Sequence, residues 1–159
     1  MAILDPLEHF REARAMPGSL PTHYLYTAGV AGQKFLAALR DEGKILGARC
    51  DKCGYTYVPA RMYCERCFAA LPDSAWVEAG PGGRLASFTV VHLDLDGQPL
   101  ASPRVMGLIQ PDGADGLLAH DLGEFGERAP RVGMRVTAIF KPQAERAGSI
   151  LDIRYFRPA

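Results

Sequence analysis

Apolar and polar residues alternate along much of the chain after residue 83. A period of two places every second side chain on the same face of an extended strand, so this alternation predicts β-strands. The predicted strands cover 84–92, about 104–110, about 116–122, 132–140 and about 149–156, and a long loop is predicted at 93–103. Five strands of this length, with turns between them, predict a small barrel or sandwich. Five is also the number of strands in an OB-fold, although the pattern alone does not choose the OB-fold over other small barrels.

Two of these strands have faces that can be assigned from the sequence. In the first strand, one face is predicted to carry Leu85, Ser87, Thr89 and Val91, and the other Ala86, Phe88, Val90 and His92. In the fourth strand, one face is predicted to carry Val132, Met134, Val136, Ala138 and Phe140. The apolar faces are expected to form the core of the barrel or sandwich.

All the cysteines of the chain lie before this β-rich part, in two C-x-x-C pairs that are separated by ten residues. The short turn of a C-x-x-C pair aims two thiolates at one point, and two such turns complete a tetrahedral site of the structural zinc type. Gly54 follows the first pair and suits a turn that needs a positive φ, whereas Phe68 takes that place in the second. The predicted metal ligands are Cys50, Cys53, Cys64 and Cys67.

Disulfide bonds and a redox role are the alternatives for these cysteines. Nothing at the start of the sequence resembles a signal peptide, and an intracellular chain with this spacing is more typical of metal binding. A redox C-x-x-C pair would open a helix in a βαβ unit, and neither pair does so. A site closed by four thiolates has no open position for a catalytic water, which argues against zinc hydrolase chemistry.

Two helices are predicted before the cysteines. Asp5 as N-cap and Pro6 as the first helical residue indicate a helix over 5–15. A second helix is expected over about 32–42 and ends at Gly43, with Phe35, Leu36 and Leu39 on one apolar face. That face either packs on the ribbon that carries the cysteines or binds a partner; amphipathic helices usually bury their apolar face within their own chain.

The composition limits the classes of function. Lys plus Arg and Asp plus Glu both number 18, so the net charge of zero gives no general attraction to nucleic acid or to an anionic membrane. No apolar run approaches the length of a membrane span, and we expect a soluble cytoplasmic protein. Glycines at 80, 82 and 83 indicate a joint, which predicts an N-terminal segment at 1–43, a zinc ribbon at 44–79 and a β-domain at 80–159.

No set of residues in the sequence is typical of a catalytic site. The cysteines are committed to the metal, and the histidines, His9, His23, His92 and His120, are scattered without a carboxylate or nucleophile partner. His92 is the one best placed to be exposed in a site, because it ends a strand beside the long loop. The glycines at 80–83 precede a strand, which excludes a phosphate-binding loop. We therefore expect no catalysis by this chain alone.

Taken together, these motifs resemble the family called domain of unknown function 35, or DUF35. The similarity starts at about residue 32 and runs to the end of the chain, and it is specific because of the order of its motifs. Ala60 stands where the family usually has a second proline, which does not affect the metal ligands. The matching motifs are the helix, the residues 50–54, 58–61 and 64–67, the glycines at 80–83, and the residues 87–92, 132–136 and 155–157.

The resemblance implies a mainly β protein with N-terminal helices, a rubredoxin-like zinc ribbon and a C-terminal five-stranded OB-fold barrel. It also implies a small accessory subunit that binds a thiolase-like protein and helps to complete its acyl-CoA site. The segment from Tyr24 through Ala31 to Leu36 is similar to the small subunits of 2-benzoylsuccinyl-CoA thiolases, which act in anaerobic toluene breakdown.

Two other functions remain open at this stage. Zinc ribbons and OB-folds both occur in nucleic-acid-binding proteins, and Phe88, Phe140 and Tyr155 would be the stacking aromatics, unless they are core residues. The β-domain would bind acyl-CoA directly if basic side chains near the ribbon or the long loop held the CoA phosphates. The candidates for that contact are Arg61, Arg66, Arg84 and Arg104.

Overall fold

The computed structural model describes residue 23 and residues 26–126 and 129–159 of the chain. The helix predicted at 5–15, His9, Tyr24 and most of the N-terminal segment lie outside the described residues. No helix in the described part of the chain combines the length and the apolar content that are needed to cross a membrane. The described helix is α1 (Gly29–Asp41), and the strands are β1 (Ile45–Arg49), β2 (Thr56–Tyr57), β3 (Trp76–Ala79), β4 (Gly82–Leu93), β5 (Pro99–Pro111), β6 (Leu118–Leu122), β7 (Arg135–Phe140) and β8 (Ile153–Pro158).

The strands form a small sheet and a closed five-stranded barrel. The small sheet has the antiparallel order β2-β1-β3, and the barrel has the order β4-β5-β6-β8-β7. Pairing of β4 with β7, from Gly82 opposite Thr137 to Arg84 opposite Arg135, closes the barrel. The one parallel pair in the barrel joins β6 to β8 at Leu122 and Phe156. A mainly β fold with a five-stranded OB-fold barrel is thus confirmed.

The predicted faces of the first barrel strand are partly wrong because β4 contains a bulge. The pairing with β5 shifts between Leu85 and Ser87, which inserts one extra residue into β4. Leu85 is fully buried, and Phe88 packs against the same core. Strict alternation would place these two side chains on opposite faces of the strand. Every side chain beyond a bulge moves to the other face relative to the uninterrupted pattern.

The long loop predicted at 93–103 is mostly strand. β4 continues to Leu93 and β5 begins at Pro99, so the connection is only the turn at 94–98. The Asp94 carboxylate holds this turn by accepting hydrogen bonds from the amides of Asp96 at 2.9 Å and Gln98 at 2.8 Å. Prolines are tolerated in this part of β5 because β6 pairs only with residues 105–109, so their missing N–H groups remove no bond to β6.

The last two strands begin later than predicted. Val132 is 66% exposed and precedes a turn at Gly133, whose φ is +86°, so β7 starts only at Arg135. Val136 and Ala138 are buried as predicted. Before β8, the Ser149 hydroxyl caps a short 3₁₀ helix (Ile150–Asp152), which delays the strand to Ile153.

One hydrophobic core joins the helix, part of the ribbon and the barrel. Phe35 and Leu39 of α1 are almost completely buried in the same cluster as Ile45 of β1 and residues of the barrel. The interpretation that the apolar face of this helix packs within its own chain is therefore confirmed. The fully buried barrel members of the cluster are Leu85, Ile109, Val136, Ile153 and Phe156.

Polar contacts also connect the ribbon to the turn between β5 and β6. The Thr56 carbonyl accepts hydrogen bonds from the amides of Asp115 at 3.0 Å and Gly116 at 3.1 Å, and the Thr56 amide donates to Asp115 Oδ2 at 2.8 Å. On the same turn, Asp112 forms a two-pronged ion pair with Arg135, with distances of 2.6 and 2.5 Å. The division at residue 80 stays a prediction, and both sides of it share a core and this set of hydrogen bonds.

Candidate metal centre

The first C-x-x-C turn follows β1 directly. The Cys50 amide donates to the carbonyl of Tyr55 at 2.9 Å, and the Gly54 amide donates to the carbonyl of Cys50 at 2.7 Å. These bonds fold the backbone back on itself within five residues. Gly54 has φ +75°, a conformation that glycine adopts without steric cost, as the sequence predicted.

The second C-x-x-C turn repeats this geometry without glycine. The Cys64 amide donates to Ala69 and the Phe68 amide donates to the carbonyl of Cys64, both at 2.9 Å. Phe68 takes φ +55° in the place of Gly54, which costs roughly 1–2 kcal/mol for a residue with a Cβ. Its ring is 85% exposed, so the strained backbone does not force the side chain into the buried cluster around the cysteines.

The two turns bring the four predicted ligands together. The distances from Cys50 Sγ to Cys67 Sγ and from Cys53 Sγ to Cys64 Sγ are both 3.5 Å. All four sulfur atoms lie within 4.8 Å of one another, and all four cysteines are free thiols without a disulfide bond. Tetrahedral zinc at about 2.3 Å from each sulfur requires sulfur atoms about 3.8 Å apart. The observed arrangement fits that requirement.

The cysteine cluster is buried on one side and open to solvent on the other. Cys50 and Cys64 are fully buried, whereas Cys67 is half-buried and Cys53 is exposed. The buried side packs against a small hydrophobic cluster that belongs to the ribbon. The other buried members of that cluster are Ala48, Tyr57, Ala60, Leu71 and Ala75. The cluster thus lies at the edge of the ribbon, with Cys53 facing solvent.

The Tyr57 hydroxyl contacts the cluster, at 3.2 Å from Cys64 Sγ. Among the described residues, no other side-chain oxygen forms a hydrogen bond with one of the four cysteines. Burial opposes ionisation of Cys64, but hydrogen bonds from this hydroxyl and from backbone amides of Cys67 and Arg66 prevail and lower the pKa of the thiol to about 6. Desolvation and the Cys64 sulfur raise the pKa of the Tyr57 phenol to about 12, so the phenol keeps its proton.

The four sulfurs cannot all ionise easily without a cation. A backbone amide of Ala69 favours the thiolate of Cys67, but burial and the sulfurs of Cys64, Cys50 and Cys53 raise the pKa of Cys67 to about 11. A divalent cation removes this repulsion, because a coordinated thiol gives up its proton outright. Donor type, number and geometry therefore fit zinc, and four sulfur ligands leave no position for a substrate.

The remaining candidate residues are not brought into one site. Of the histidines that the structure describes, His23 and His92 are exposed, whereas His120 is buried and its Nε2 donates to the Ile150 carbonyl at 3.2 Å. No described histidine lies in the cysteine cluster. His92 is exposed, but no described residue forms a hydrogen bond or an ion pair with it that would mark a site.

The four arginines considered for CoA phosphates are divided between ribbon and barrel. Arg61 pairs with Glu65, and Arg66 lies 5.0 Å from the centre of the Tyr55 ring. Arg84 donates to the Gly133 carbonyl at 3.3 Å, and Arg104 pairs with Asp121 at 2.8 Å. Each therefore already has a contact within the chain, and the direct acyl-CoA site gains no support from their placement.

The aromatic residues considered for nucleic acid have structural roles. Phe88 and Phe140 are partly buried against the core, and the Tyr155 hydroxyl donates to Glu124. The alternative that these rings belong to the fold is confirmed for both phenylalanines.

The sequence pattern did not reveal Tyr57 and Asp115. Neither residue lies in a cysteine motif, and only the fold brings Tyr57 to Cys64 and Asp115 to the ribbon.

Comparison with known proteins agrees with this architecture. Residues 37–72 match the family model described as ChsH2, rubredoxin-like zinc ribbon domain. Residues 76–141 match the model described as ChsH2, C-terminal OB-fold domain. The chain is also 25% identical over 100 residues to a DUF35 domain-containing scaffold protein of Methanocaldococcus jannaschii, covering 61% of this chain and 67% of that protein.

Solved structures also resemble the chain, among them the following two. One is a protein with unknown function from the DUF35 family of Sulfolobus solfataricus, 33% identical with a TM-score of 0.58, covering 70% of this chain and 78% of that one. The other is described as an Ltp2-ChsH2(DUF35) aldolase, 20% identical with a TM-score of 0.55, covering 79% of this chain and 91% of that one. The second likeness is one of fold.

Proposed function

This chain belongs to the DUF35 family, and from that membership we propose that it is a non-catalytic accessory subunit of a thiolase-superfamily enzyme complex that acts on acyl-CoA thioesters. The observation that carries the proposal is the family match across both the ribbon and the barrel. The relative from Methanocaldococcus jannaschii is named a scaffold protein, and one structure with this fold bears a name that joins a DUF35 protein to an aldolase. Both names support a role exercised through a partner.

The metal centre supports the same role. A thiolase needs a nucleophilic cysteine with acid and base groups near it. Every cysteine of this chain lies in the cluster that we assign to structural zinc, with Cys50, Cys53, Cys64 and Cys67 as ligands. The reacting groups must therefore come from the partner, and acyl-CoA enters through the complex. We propose a hetero-oligomer in which this chain contributes surface and stability.

For the substrate, we propose 2-benzoylsuccinyl-CoA, the thioester of anaerobic toluene degradation. The support is the sequence resemblance of the segment from Tyr24 to Leu36, of which Tyr24 and Leu25 lie outside the described residues. Within that segment, Phe35 is buried in the core. The similarity at Phe35 is therefore explained by packing within the fold and says nothing about a partner. The unburied part, including Tyr26 and Val30, is where a specific contact with the partner would be made.

Reconstitution tests this proposal. The thiolase-superfamily protein from the same organism is assayed for CoA-dependent cleavage of 2-benzoylsuccinyl-CoA, alone and with one equivalent of this chain. We expect at least a tenfold higher rate with the chain present, no turnover by the chain alone, and no heat when an acyl-CoA is titrated into the chain alone. A partner that is fully active alone, with this chain remaining monomeric beside it, contradicts the accessory role. Activation with a different acyl-CoA only contradicts the substrate.

A further inference from the structure

Tyr57 is placed between the cysteine cluster and the barrel. It is the second residue of β2, is only 3% exposed, and directs its hydroxyl to within 3.2 Å of Cys64 Sγ. Cys64 is fully buried, so no water competes for this contact. Once Cys64 is a metal-bound thiolate, the sulfur has no proton to give, and the phenol becomes the donor of the hydrogen bond.

The contact differs from those that C-x-x-C turns supply by themselves. Backbone amides of Tyr55 and Ala69 favour the thiolates of Cys53 and Cys67, and such amides come with the turn. Among the described residues, Cys64 alone adds a hydrogen bond from a side-chain hydroxyl. Hydrogen bonds to a ligand from outside the coordination sphere orient that ligand and tune the metal.

The ring of Tyr57 is held on the ribbon side by its neighbours. The Arg61 guanidinium lies 5.2 Å from the centre of this ring, and the Tyr55 ring lies 4.7 Å from it. Together with the burial of the side chain, these contacts fix the direction of the hydroxyl. A fixed hydroxyl stabilises a metal site more than a mobile hydroxyl does, because less conformational entropy is lost when the hydrogen bond forms.

The backbone of β2 is held from the barrel side. Thr56, next to Tyr57, exchanges three hydrogen bonds with Asp115 and Gly116 of the turn between β5 and β6. A Cβ on Gly116 would lie 3.0 Å from the Val58 amide nitrogen, so this turn and β2 are in close contact. With just two residues, β2 depends on these bonds for its position.

We propose that Tyr57 is a positioning residue of the metal centre, with its hydroxyl donating to the Cys64 thiolate and with Asp115 of the barrel holding β2 in place for that bond. The affinity of the ribbon for its metal is then set partly by the barrel, and the metal in turn strengthens the contact between them. Reciprocity follows because two coupled equilibria stabilise each other by the same amount. This inference rests on the proposed metal site and is independent of the proposed partner.

Cobalt binding to the full chain provides the test. Tyr57→Phe removes only the hydroxyl, and Tyr63→Phe is the matched control, since the Tyr63 side chain is 65% exposed. Competition with a chelator is expected to show about a 10–100-fold weaker Co²⁺ affinity for Tyr57→Phe, the range typical of such outer contacts. Tyr63→Phe should stay within about twofold of the wild type on the same reasoning.

The cobalt spectrum separates a hydrogen bond from simple packing. Loss of a hydrogen bond raises the electron density on sulfur, so the sulfur-to-cobalt charge-transfer band of Tyr57→Phe should move to longer wavelength. The d–d bands should keep their tetrahedral form. Equal affinity and an unmoved band in a folded Tyr57→Phe variant would overturn the role of Tyr57, whereas a wild type that binds no cobalt would overturn the metal site itself.

Two further measurements complete the test. The first does not depend on whether Tyr57→Phe folds, and the second tests the proposed contribution of the barrel to metal affinity. In wild-type protein loaded with ¹¹³Cd²⁺, the Tyr57 hydroxyl proton should exchange slowly and show scalar coupling to the metal through Cys64; a fast-exchanging, uncoupled proton contradicts the bond. Asp115→Ala should lower the Co²⁺ affinity in the same direction by a smaller factor. An unchanged affinity in Asp115→Ala would refute the contribution of the barrel.

Discussion

Replacing Cys64 by serine is expected to abolish stoichiometric zinc binding and to loosen the ribbon over residues 44–70. Cys64 is one of the four ligands that we propose for a closed site, and structural zinc contributes on the order of 10–16 kcal/mol to the folding of small zinc domains. The ribbon has little apolar core of its own, mainly small residues around the cysteines. Without the metal, that cluster cannot hold the two turns together.

The zinc content of the purified variant and hydrogen exchange of its amides measure this effect. Cys50→Ser should behave in the same way, whereas Tyr63→Ser, at a 65% exposed neighbour of Cys64, should keep its zinc and serves as the matched control. Amides of β4 to β8 should stay protected, because most of their core lies in the barrel. Retention of one zinc per chain in both cysteine variants would contradict the assignment of the ligands.

Replacing Asp152 by alanine is expected to destabilise the barrel by roughly 3–5 kcal/mol, since three backbone amides lose a charged acceptor. The Asp152 side chain is fully buried just before β8. Its carboxylate accepts hydrogen bonds from the amides of Ala147 at 2.9 Å, Gly148 at 2.8 Å and Ser149 at 3.1 Å. Chemical denaturation measures the loss, and Glu145→Gln, which removes an exposed acid nearby, should change the stability by no more than about 0.5 kcal/mol.

The same carboxylate makes stability depend on pH. Burial raises the pKa of Asp152, but the three amide hydrogen bonds prevail and hold it below the ordinary value of an aspartate. The Asp152 carboxylate therefore stabilises the fold fully above about pH 4, the ordinary pKa range of an aspartate. This stabilisation is lost as the pH falls through the lower pKa that Asp152 has in the folded state. The difference in stability between wild type and Asp152→Asn should shrink on going from pH 5 to pH 2. A difference that stays constant over this range would show that the carboxylate is not charged in the fold.

The sequence was sufficient to predict the clustering of the four cysteines because the geometry of each turn is local. Each C-x-x-C turn is fixed by hydrogen bonds within five residues, so spacing alone identified Cys50, Cys53, Cys64 and Cys67 as one cluster. The barrel strands were predictable from the alternation of apolar residues. The ends of the strands were less predictable, because the tolerance of prolines in β5 depends on which residues pair with β6. Before β8, a capped 3₁₀ turn interrupts the alternation of apolar residues.

Features that depend on distant contacts were not predictable. The bulge after Leu85 changes the inward face of β4 without leaving a mark in the apolar pattern. Tyr57 looked like an ordinary strand residue, because the proposed hold on its strand is the hydrogen bond between Thr56 and Asp115, 59 residues away in the chain. Such a contact follows from the docking of the ribbon on the barrel, which no local pattern encodes.

The accessory role is tested by affinity purification of the tagged chain from extract of its native cells, with mass spectrometry of the proteins that copurify with it. We expect a thiolase-superfamily protein in stoichiometric amount, retained through size-exclusion chromatography at the mass of a hetero-oligomer. Recovery of the chain as a monomer, or with nucleic acid in place of a protein partner, would contradict the accessory role and leave the zinc ribbon as a separate question.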